Sequence, residues 1–541
     1  MGFYLDSIKS LTMYQSEALK PYFVDKTMLL EELCPLVEQG SNYICIIRPR
    51  RFGKTTAANM VSAFFSRGVD SKNLFGKLAI GKRNVDKYRN QYHVIHIDFS
   101  KYGDECGNYK EYISYIKTLL KEDLHKAYPN CGFRENAAVS EDLMRVYLQT
   151  GEGFVFVLDE WDAVFHMSFV TEADKKLYLL LLKDLLKDQP YVLLAYMTGI
   201  LPIAKYSSGS ELNMFLEYSM AAQQRFSGYF GFTEQEVEDL YGRYQGICDS
   251  PKVSMEGLRE WYDGYYTASG ERIFNPRSVV AALSNNRLTN YWTSSGPYDE
   301  IFYYIKNNVD EVKESIAYML AGEEVPANVQ EYAATSMNLQ TKNEIFSAMV
   351  VYGFLSCHNG NVGIPNKELM DRFADMVQKE SSLGYINRLA RESDRMLAAT
   401  LSGDTQTMSD ILEFAHNTES PLIAYNSEAE LASIVNLVYL SARDYYRVER
   451  EDKAGTGYVD FVFYPKSDKK ADGIILELKV DHTPEEAIEQ IKEKQYVLCF
   501  QGKLGEENEY GGHVLAVGIG YSKKTKKHTC KVERISLWQE P

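Results

Sequence analysis

Residues 43–55 read Tyr-Ile-Cys-Ile-Ile-Arg-Pro-Arg-Arg-Phe-Gly-Lys-Thr: an apolar run, a basic turn, then Gly53-Lys54-Thr55 at the head of the helical pattern KTTAANMVSAFFSRG. Strand, glycine-bearing turn and helix in that order form the context in which G-x-x-x-x-G-K-[ST] cradles phosphate. Arg48 stands where the first glycine of that pattern belongs, while Gly53, Lys54 and Thr55 match it. From the second glycine onward the physical logic is intact. Backbone N–H groups at a helix N-terminus point at phosphate oxygens and the helix dipole favours the anion. Here those groups belong to Arg51, Phe52, Gly53, Lys54, Thr55 and Thr56. Lys54 would place a point charge on the β/γ-phosphates of ATP, and Thr55 a hydroxyl on Mg²⁺. The plainer alternative is a basic strand-to-helix turn that merely contains Gly-Lys-Thr.

Working outward, HVIHIDF (93–99), FVFVLDE (154–160) and YVLLAYMTG (191–199) repeat the apolar run, with amphipathic stretches between them. Fully apolar strands alternating with helices predict a parallel sheet covered on both faces, with its ligand edge at the strand C-termini. At one such edge sit Asp159 and Glu160. Asp159 suits the holding of a hydrated Mg²⁺, and Glu160 the orienting and activation of an attacking water. Two solvated acids ending a core strand are the competing reading. Thr198 closes the last strand, either as a polar group facing the γ-phosphate or as a cap of the following turn. Arg50, Arg51, Lys205 and Arg225 could each reach phosphate, in cis or from a neighbouring copy in a homo-oligomer.

The chain has 541 residues, enough for several domains, with ordinary globular shares of apolar (45%) and charged (25%) residues. No apolar run approaches the ~20 residues needed to cross a bilayer. MGFYLDSIKS lacks a signal-peptide pattern, so a cytoplasmic protein without a membrane partner is expected. The eight cysteines are scattered without a CxxC pair, which argues against a zinc site and a disulfide framework. A net charge of −16 argues against a protein coated in basic surface, though not against a local basic groove.

Four domains are expected: a nucleotide-binding domain over 1–230, a helical lid over 231–310, a connector over 311–420 and a further α/β unit over 421–541. The lid opens with Thr233 and Glu236 in capping-box spacing, and Pro276 sits just inside a helix start. The connector reads as helix, hairpin turning at Asn359-Gly360, and helix from near Asn366, an order compatible with a winged helix. In the last unit, 427–446 and 484–496 read as helices. GYVDFVFYP (457–465), DGIILELKV (472–480) and a final HVLAVGIGYS (513–522) read as strands.

YFVDKTMLL (22–30), RPRRFGKT (48–55), VLDEWD (157–162), MTGILPIAK (197–205), FGFTEQEV (230–237), WYDGYY (261–266), IFNPRSVV (273–280) and IPNKE (364–368) occur in this order. Together they resemble the bacterial AAA-ATPase-like family whose members carry a C-terminal domain of the PD-(D/E)XK nuclease superfamily. In that family the first P-loop glycine is commonly replaced, as Arg48 replaces it here. The resemblance implies a P-loop NTPase parallel sheet, a restriction-endonuclease-like α/β domain behind it, and ATP binding with hydrolysis.

It also sharpens the last unit. Asp460 lies on one predicted strand, with Glu477 and Lys479 on the next, where residues i and i+2 share a face. If the strands pair, Asp460 and Glu477 can bind Mg²⁺, and Glu428 could supply one more carboxylate ligand; a solvated strand face that merely contains Glu-x-Lys is the competing reading. Bound metal polarises a phosphodiester and lowers the pKa of a water. Lys479 would position that water or stabilise charge on the phosphate of DNA or RNA. Gln490 and Tyr496 could touch the nucleic-acid backbone. Lysines 466, 469, 470, 492, 494, 523, 524, 526 and 527 could supply a local positive field, or only solubility. Two positions depart from the relatives: Tyr458 follows Gly457 where arginine is common, and Leu431-Ala432 stand where Tyr-His is common. The expected function is a nuclease gated by ATP; the rival is a nucleotide-driven switch whose nuclease fold does not cut.

Overall fold

The computed structural model describes residues 2–103, 106–203, 211–220, 223–292, 310–320, 322–329, 339, 341–379, 383, 385–417, 428–454, 457–466, 470–503 and 513–535. The chain forms two compact units, Met1–Ile301 with Pro326–Leu369, and Phe302–Val325 with Met370–Pro541. The stretch 311–420 thus contributes residues to both.

The first unit is built on five parallel strands: β1 (Asn42–Ile47), β2 (His93–Asp98), β3 (Phe154–Asp159), β4 (Val192–Gly199) and β5 (Leu216–Ser219), in the order β2-β3-β4-β1-β5. Ile44, Ile46, Val155 and Val157 enter one core, whereas Cys45, Ile47, Phe156 and Leu158 enter the other. A strand buried on both faces has no polar alternation, which is why these segments read as unbroken apolar runs. The order inserts β4 between β1 and β3, so the tips of all three lie side by side. Helix α1 (Ile8–Ala18) lies against α2 (Lys54–Phe65), the helix that follows β1.

Beyond the sheet come α3 (Glu234–Ile247), α4 (Met255–Tyr262) and α5 (Pro276–Asn285), which share a core of Val237, Leu240, Tyr244, Leu258, Tyr262 and Val279. The Thr233–Glu236 capping box closes reciprocally, and the Asn275 side chain accepts from the N–H groups of Arg277 and Ser278. After α6 (Lys342–Tyr352), β6 (Ser356–His358) and β7 (Asn361–Gly363) form the expected hairpin. Its turn residues Asn359 and Gly360 have φ of 49° and 78°, as a two-residue Asn-Gly turn requires. Helix α7 (Lys367–Lys379) follows.

The second unit contains α8 (Glu428–Val438) and a five-stranded mixed sheet. Its strands, in spatial order, are β8 (Tyr446–Ala454), β9 (Gly457–Pro465), β10 (Gly473–Val480), β11 (Val514–Ser522) and β12 (Lys527–Ile535). Only β10 and β11 pair in parallel. Helix α9 (Pro484–Glu493) packs on β10 and β11. Two expectations are corrected. The helical reading of 427–446 ends at Val438, apart from a short turn of helix before β8, and β11 is not the last strand. Both β8 and β12 are edge strands with charged residues interspersed, so their apolar signal is weak. Among the described residues no helix is long and apolar enough to cross a membrane.

One glycine ties α4 to the segment before α7. Gly264 has φ of +101°, and a Cβ there would lie 1.9 Å from the Pro365 carbonyl oxygen. Beside it, Asn366 Nδ2 donates to the Asp263 carbonyl at 3.0 Å. Gly264→Ala combines a forbidden backbone conformation with a backbone clash, and should destabilise the first unit by about 2–4 kcal/mol. Thermal unfolding of the purified variant checks this, and an unchanged melting temperature would contradict it.

Candidate functional site

The first site forms where β1 ends. Gly53 caps α2 in the left-handed conformation (φ +88°), with nothing within 4 Å of the place a Cβ would take. The turn therefore needs glycine for its backbone, and the space beside it is open. Arg48, at the position of the missing glycine, is fully buried. Its Nη1 donates to the carbonyls of Ile47 (2.8 Å) and Tyr218 (2.6 Å), and its guanidinium lies 5.1 Å from the Phe230 ring centre. The arginine braces β1 against β5 from inside.

Lys54 is buried, and its Nζ donates to the carbonyls of Arg48 (2.9 Å) and Pro49 (3.0 Å). Burial lowers its pKa, opposed by the fields of Asp162, Glu160 and Asp159. The Asp159 carboxylate, 1% exposed, accepts hydrogen bonds from the hydroxyls of Thr198 and Thr55. Its pKa is raised, with burial as the main cause. Glu160 stands next to it at φ +50°, with its N–H on Thr198 Oγ1 at 3.4 Å. Burial first, and then the Asp159 charge, push the Glu160 carboxyl up as well. Asp162 is committed elsewhere, accepting the N–H groups of Ile200 (2.9 Å) and Leu201 (2.8 Å).

A cavity of about 670 Å³ opens here, lined by Gly53, Lys54, Thr55, Thr56 and Glu160 and, from α5, by Arg277. Phe52 is buried edge-on to Tyr265, 5.1 Å between ring centres. Arg51 turns its guanidinium to the carbonyls of Tyr291 and Trp292. Of the other cations considered, Arg50 lines the cavity, Arg225 pairs with Glu32 at 3.3 Å, and Lys205 lies outside the described residues.

The second site lies on β9 and β10. Asp460 and Glu477 are neighbours across the two strands: the Asp460 N–H is 3.5 Å from Glu477 Oε2, and Asp460 Oδ2 accepts the Leu478 N–H at 2.7 Å. Lys479 Nζ is 3.2 Å from Glu477 Oε1, which also accepts from the Gln490 amide. Gln490 and Tyr496 are thus turned inward, the Tyr496 hydroxyl donating to the Tyr458 carbonyl at 2.7 Å. Burial and the Asp460 charge raise the Glu477 pKa to about 7, with Lys479 opposing. Two carboxylates that disfavour each other's charge make a donor set suited to a hard cation. Glu428 opens α8, its side chain outside the described set. Among the described residues no group of three His, Cys, Asp or Glu side chains is placed to hold a metal. Lys492 pairs with Glu533 and Lys523 with Asp481, while Lys469 is outside the described residues.

Residues 13–208 match the family described as "Predicted AAA-ATPase", and residues 426–525 match the PD-(D/E)XK nuclease superfamily. The chain joins an AAA-ATPase-like domain to a PD-(D/E)XK nuclease superfamily domain. The P-loop sheet and the mixed nuclease-like sheet expected from the sequence are the folds found. No curated protein matches the chain significantly. Among solved structures, a Walker-type ATPase of Pyrococcus abyssi is 12% identical, with 63% of this chain and 95% of that one covered and a TM-score of 0.36. The ORC2 protein of Aeropyrum pernix, in its ADPNP–ADP complexes, is 12% identical, with 63% and 93% covered and a TM-score of 0.30. Drosophila ORC bound to DNA is 10% identical, with 67% and 91% covered and a TM-score of 0.26. Likenesses this slight carry no functional weight.

In the ATPase-like domain two residues were not singled out from the sequence. Asp98, at the tip of β2, stands in register with Asp159 and pairs with Lys101 at 2.7 Å; its signal was an acid closing the run HVIHID. Arg277 brings a cation to the cavity from the start of α5, in IFNPRSVV. In the nuclease-superfamily domain the raised Glu477 pKa fixes a sign. The folded-state value, about 7, lies above the ordinary 4.5, so the contribution of this carboxyl to stability is complete below that ordinary value. It is lost as pH rises towards 7. Without divalent metal, Glu477→Gln should therefore be more stable than wild type at pH 8, by about 1–3 kcal/mol, and the gap should close near pH 4. Denaturant unfolding at the two pH values measures it; a gap that is constant with pH would assign the effect elsewhere.

Proposed function

We propose that the ATPase-like domain binds ATP with Mg²⁺ and hydrolyses it. The observation that carries this reading is the convergence of Lys54, Thr55, Asp159, Glu160 and Thr198 from three neighbouring strand tips. The N–H groups of residues 51–56 would cradle the phosphates, with the Lys54 charge on the β/γ oxygens. Thr55 and Asp159 would hold Mg²⁺, which when bound neutralises charge on those oxygens. Glu160 would take the proton of the attacking water, and its raised pKa makes it the better base near neutral pH. Thr198 keeps Asp159 and the Glu160 backbone in register with each other. The domain assignment is 1–230 for the ATPase, 231–310 for the lid, 311–420 for the connector and 421–541 for the nuclease-like domain.

Lys54→Ala should abolish binding of a fluorescent ATP analogue, because it removes the ammonium that this reading places on the β/γ-phosphates. Glu160→Gln should bind the analogue normally and hydrolyse ATP at least about 100-fold more slowly. Tight binding by the first variant, or undiminished turnover by the second, would place the chemistry on other residues.

For the second domain we propose a metal-dependent site for nucleic-acid phosphodiesters, gated by the nucleotide state of the first and made of Asp460, Glu477 and Lys479 with Glu428 as a further ligand. The rival is a switch or interaction protein that does not cut; what favours it is that Glu477 Oε1 already accepts from both Lys479 and Gln490, and Asp460 Oδ2 from the Leu478 N–H. Labelled single- and double-stranded DNA and RNA, incubated with Mg²⁺ or Mn²⁺ and with or without ATP, separate the two. On the nuclease reading Asp460→Ala and Glu477→Ala each abolish cleavage and spare ATP turnover, while Lys479→Ala keeps the metal and loses rate. Absence of cleavage under every condition, with metal affinity unchanged in both carboxylate variants, selects the switch.

A further inference from the structure

The phosphate loop is held by a chain of hydrogen bonds that ends on a buried acid far from it in sequence. Arg51 lies in the left-handed region (φ +72°), a conformation that a side chain other than glycine adopts only when its surroundings enforce it. What enforces it is visible. Arg51 Nη1 donates to the carbonyl of Tyr291 at 2.7 Å and to that of Trp292, and the Trp292 indole N–H reaches back to the Arg50 carbonyl at 3.4 Å.

The N–H groups of the same two residues point the other way, to one oxygen. Glu368 Oε1 accepts from Tyr291 N at 2.6 Å and from Trp292 N at 2.7 Å. The carboxylate also accepts from the Ser278 hydroxyl on α5, at 2.9 Å through Oε2, and the Glu368 carbonyl accepts from Asn290 Nδ2 at 2.9 Å. Glu368 is 1% exposed, in the first turn of α7, the helix along which the chain leaves the first unit. Hydrogen bonds to ionised groups are the strong ones, and bonds in series polarise one another. Here a carboxylate draws on the N–H side of two residues while a guanidinium draws on their carbonyl side.

We propose that Arg51, the backbone of Tyr291 and Trp292, and the Glu368 carboxylate form a relay that keeps the phosphate loop in its binding shape, with Glu368 as a positioning residue for nucleotide. This rests on the ATP-binding reading above and deepens it. The relay assigns Arg51 to the shape of the loop, and it gives the acid of IPNKE a task that no nearby residue can reveal. Because coupling is reciprocal, nucleotide that fixes the loop also tightens the contacts around Glu368.

The test uses the full chain and a fluorescent ATP analogue, with steady-state ATP hydrolysis alongside. Glu368→Gln keeps the side-chain shape and loses the charge. It should raise the Kd for the analogue and the KM for ATP about tenfold while leaving kcat within about twofold. Arg51→Ala should do the same, Arg51→Lys should recover part of the loss, and the Arg51→Ala/Glu368→Gln pair should be no weaker than Arg51→Ala alone, since a relay is broken only once. A Glu368→Gln variant that melts lower but binds normally, or losses that multiply in the pair, overturns the relay. If Glu368→Gln does not fold, hydrogen exchange on the wild-type protein decides: added analogue should slow exchange at the amides of 291 and 292, and unchanged exchange counts against the proposal. Failure of the wild-type protein to bind the analogue removes the ATP-binding reading and the relay with it, whereas binding that every relay variant retains removes the relay alone.

Discussion

Asp159 is an acid withdrawn from water at the end of β3, and much of the first unit is arranged to make that tolerable. Removing a charge from solvent costs several kcal/mol unless hydrogen bonds and opposite charge replace the water. The replacements come from two directions. β4, inserted between β1 and β3, brings the Thr198 hydroxyl, and the first turn of α2 brings Thr55 and the field of Lys54. The sheet order is therefore a condition of the site: were β3 next to β1, Thr198 would have no place between them. The pKa of Asp159 is still raised, so these donors offset the burial only in part.

The second domain meets the same problem with other parts. Glu477 shares its surroundings with a second carboxylate, and the offset comes from the Lys479 ammonium and the Gln490 amide. A lysine two residues along a strand shares the face of the acid by pleat alone. The glutamine arrives from α9, which packs across β10 and β11. Both sites thus place acids at the end or on the face of an apolar strand and balance them imperfectly, the condition under which pKa values move.

How far the sequence could be read followed from how completely each element was buried. Strands β1 to β4 were legible because helices cover both their faces, leaving no polar alternation to blur the run. The Thr233 and Pro276 helix starts and the Asn359-Gly360 turn were legible because their chemistry is local. The strands β5, β8 and β12 were not, since edge strands carry polar residues that resemble loop. Asp162 and Asp159 look alike in VLDEWD, yet one caps the turn after β4 and the other joins the hydroxyl cluster. Gln490 and Tyr496, which look like groups offered to a ligand, face inward on Glu477 and the Tyr458 carbonyl.

By itself the sequence determined the P-loop strand, turn and helix, the acids at the end of β3, and the Asp460, Glu477 and Lys479 pattern. Each of these depends on contacts within a few residues and on the periodicity of burial. Only the tertiary structure decided what Arg48 and Arg51 do. As letters in RPRRFGKT they are cations beside a phosphate loop. In the fold one braces β1 against β5, and the other reaches carbonyls 240 and 241 residues away. Backbone carbonyls carry no residue identity, so a side chain that bonds to them leaves no partner in the sequence to be found.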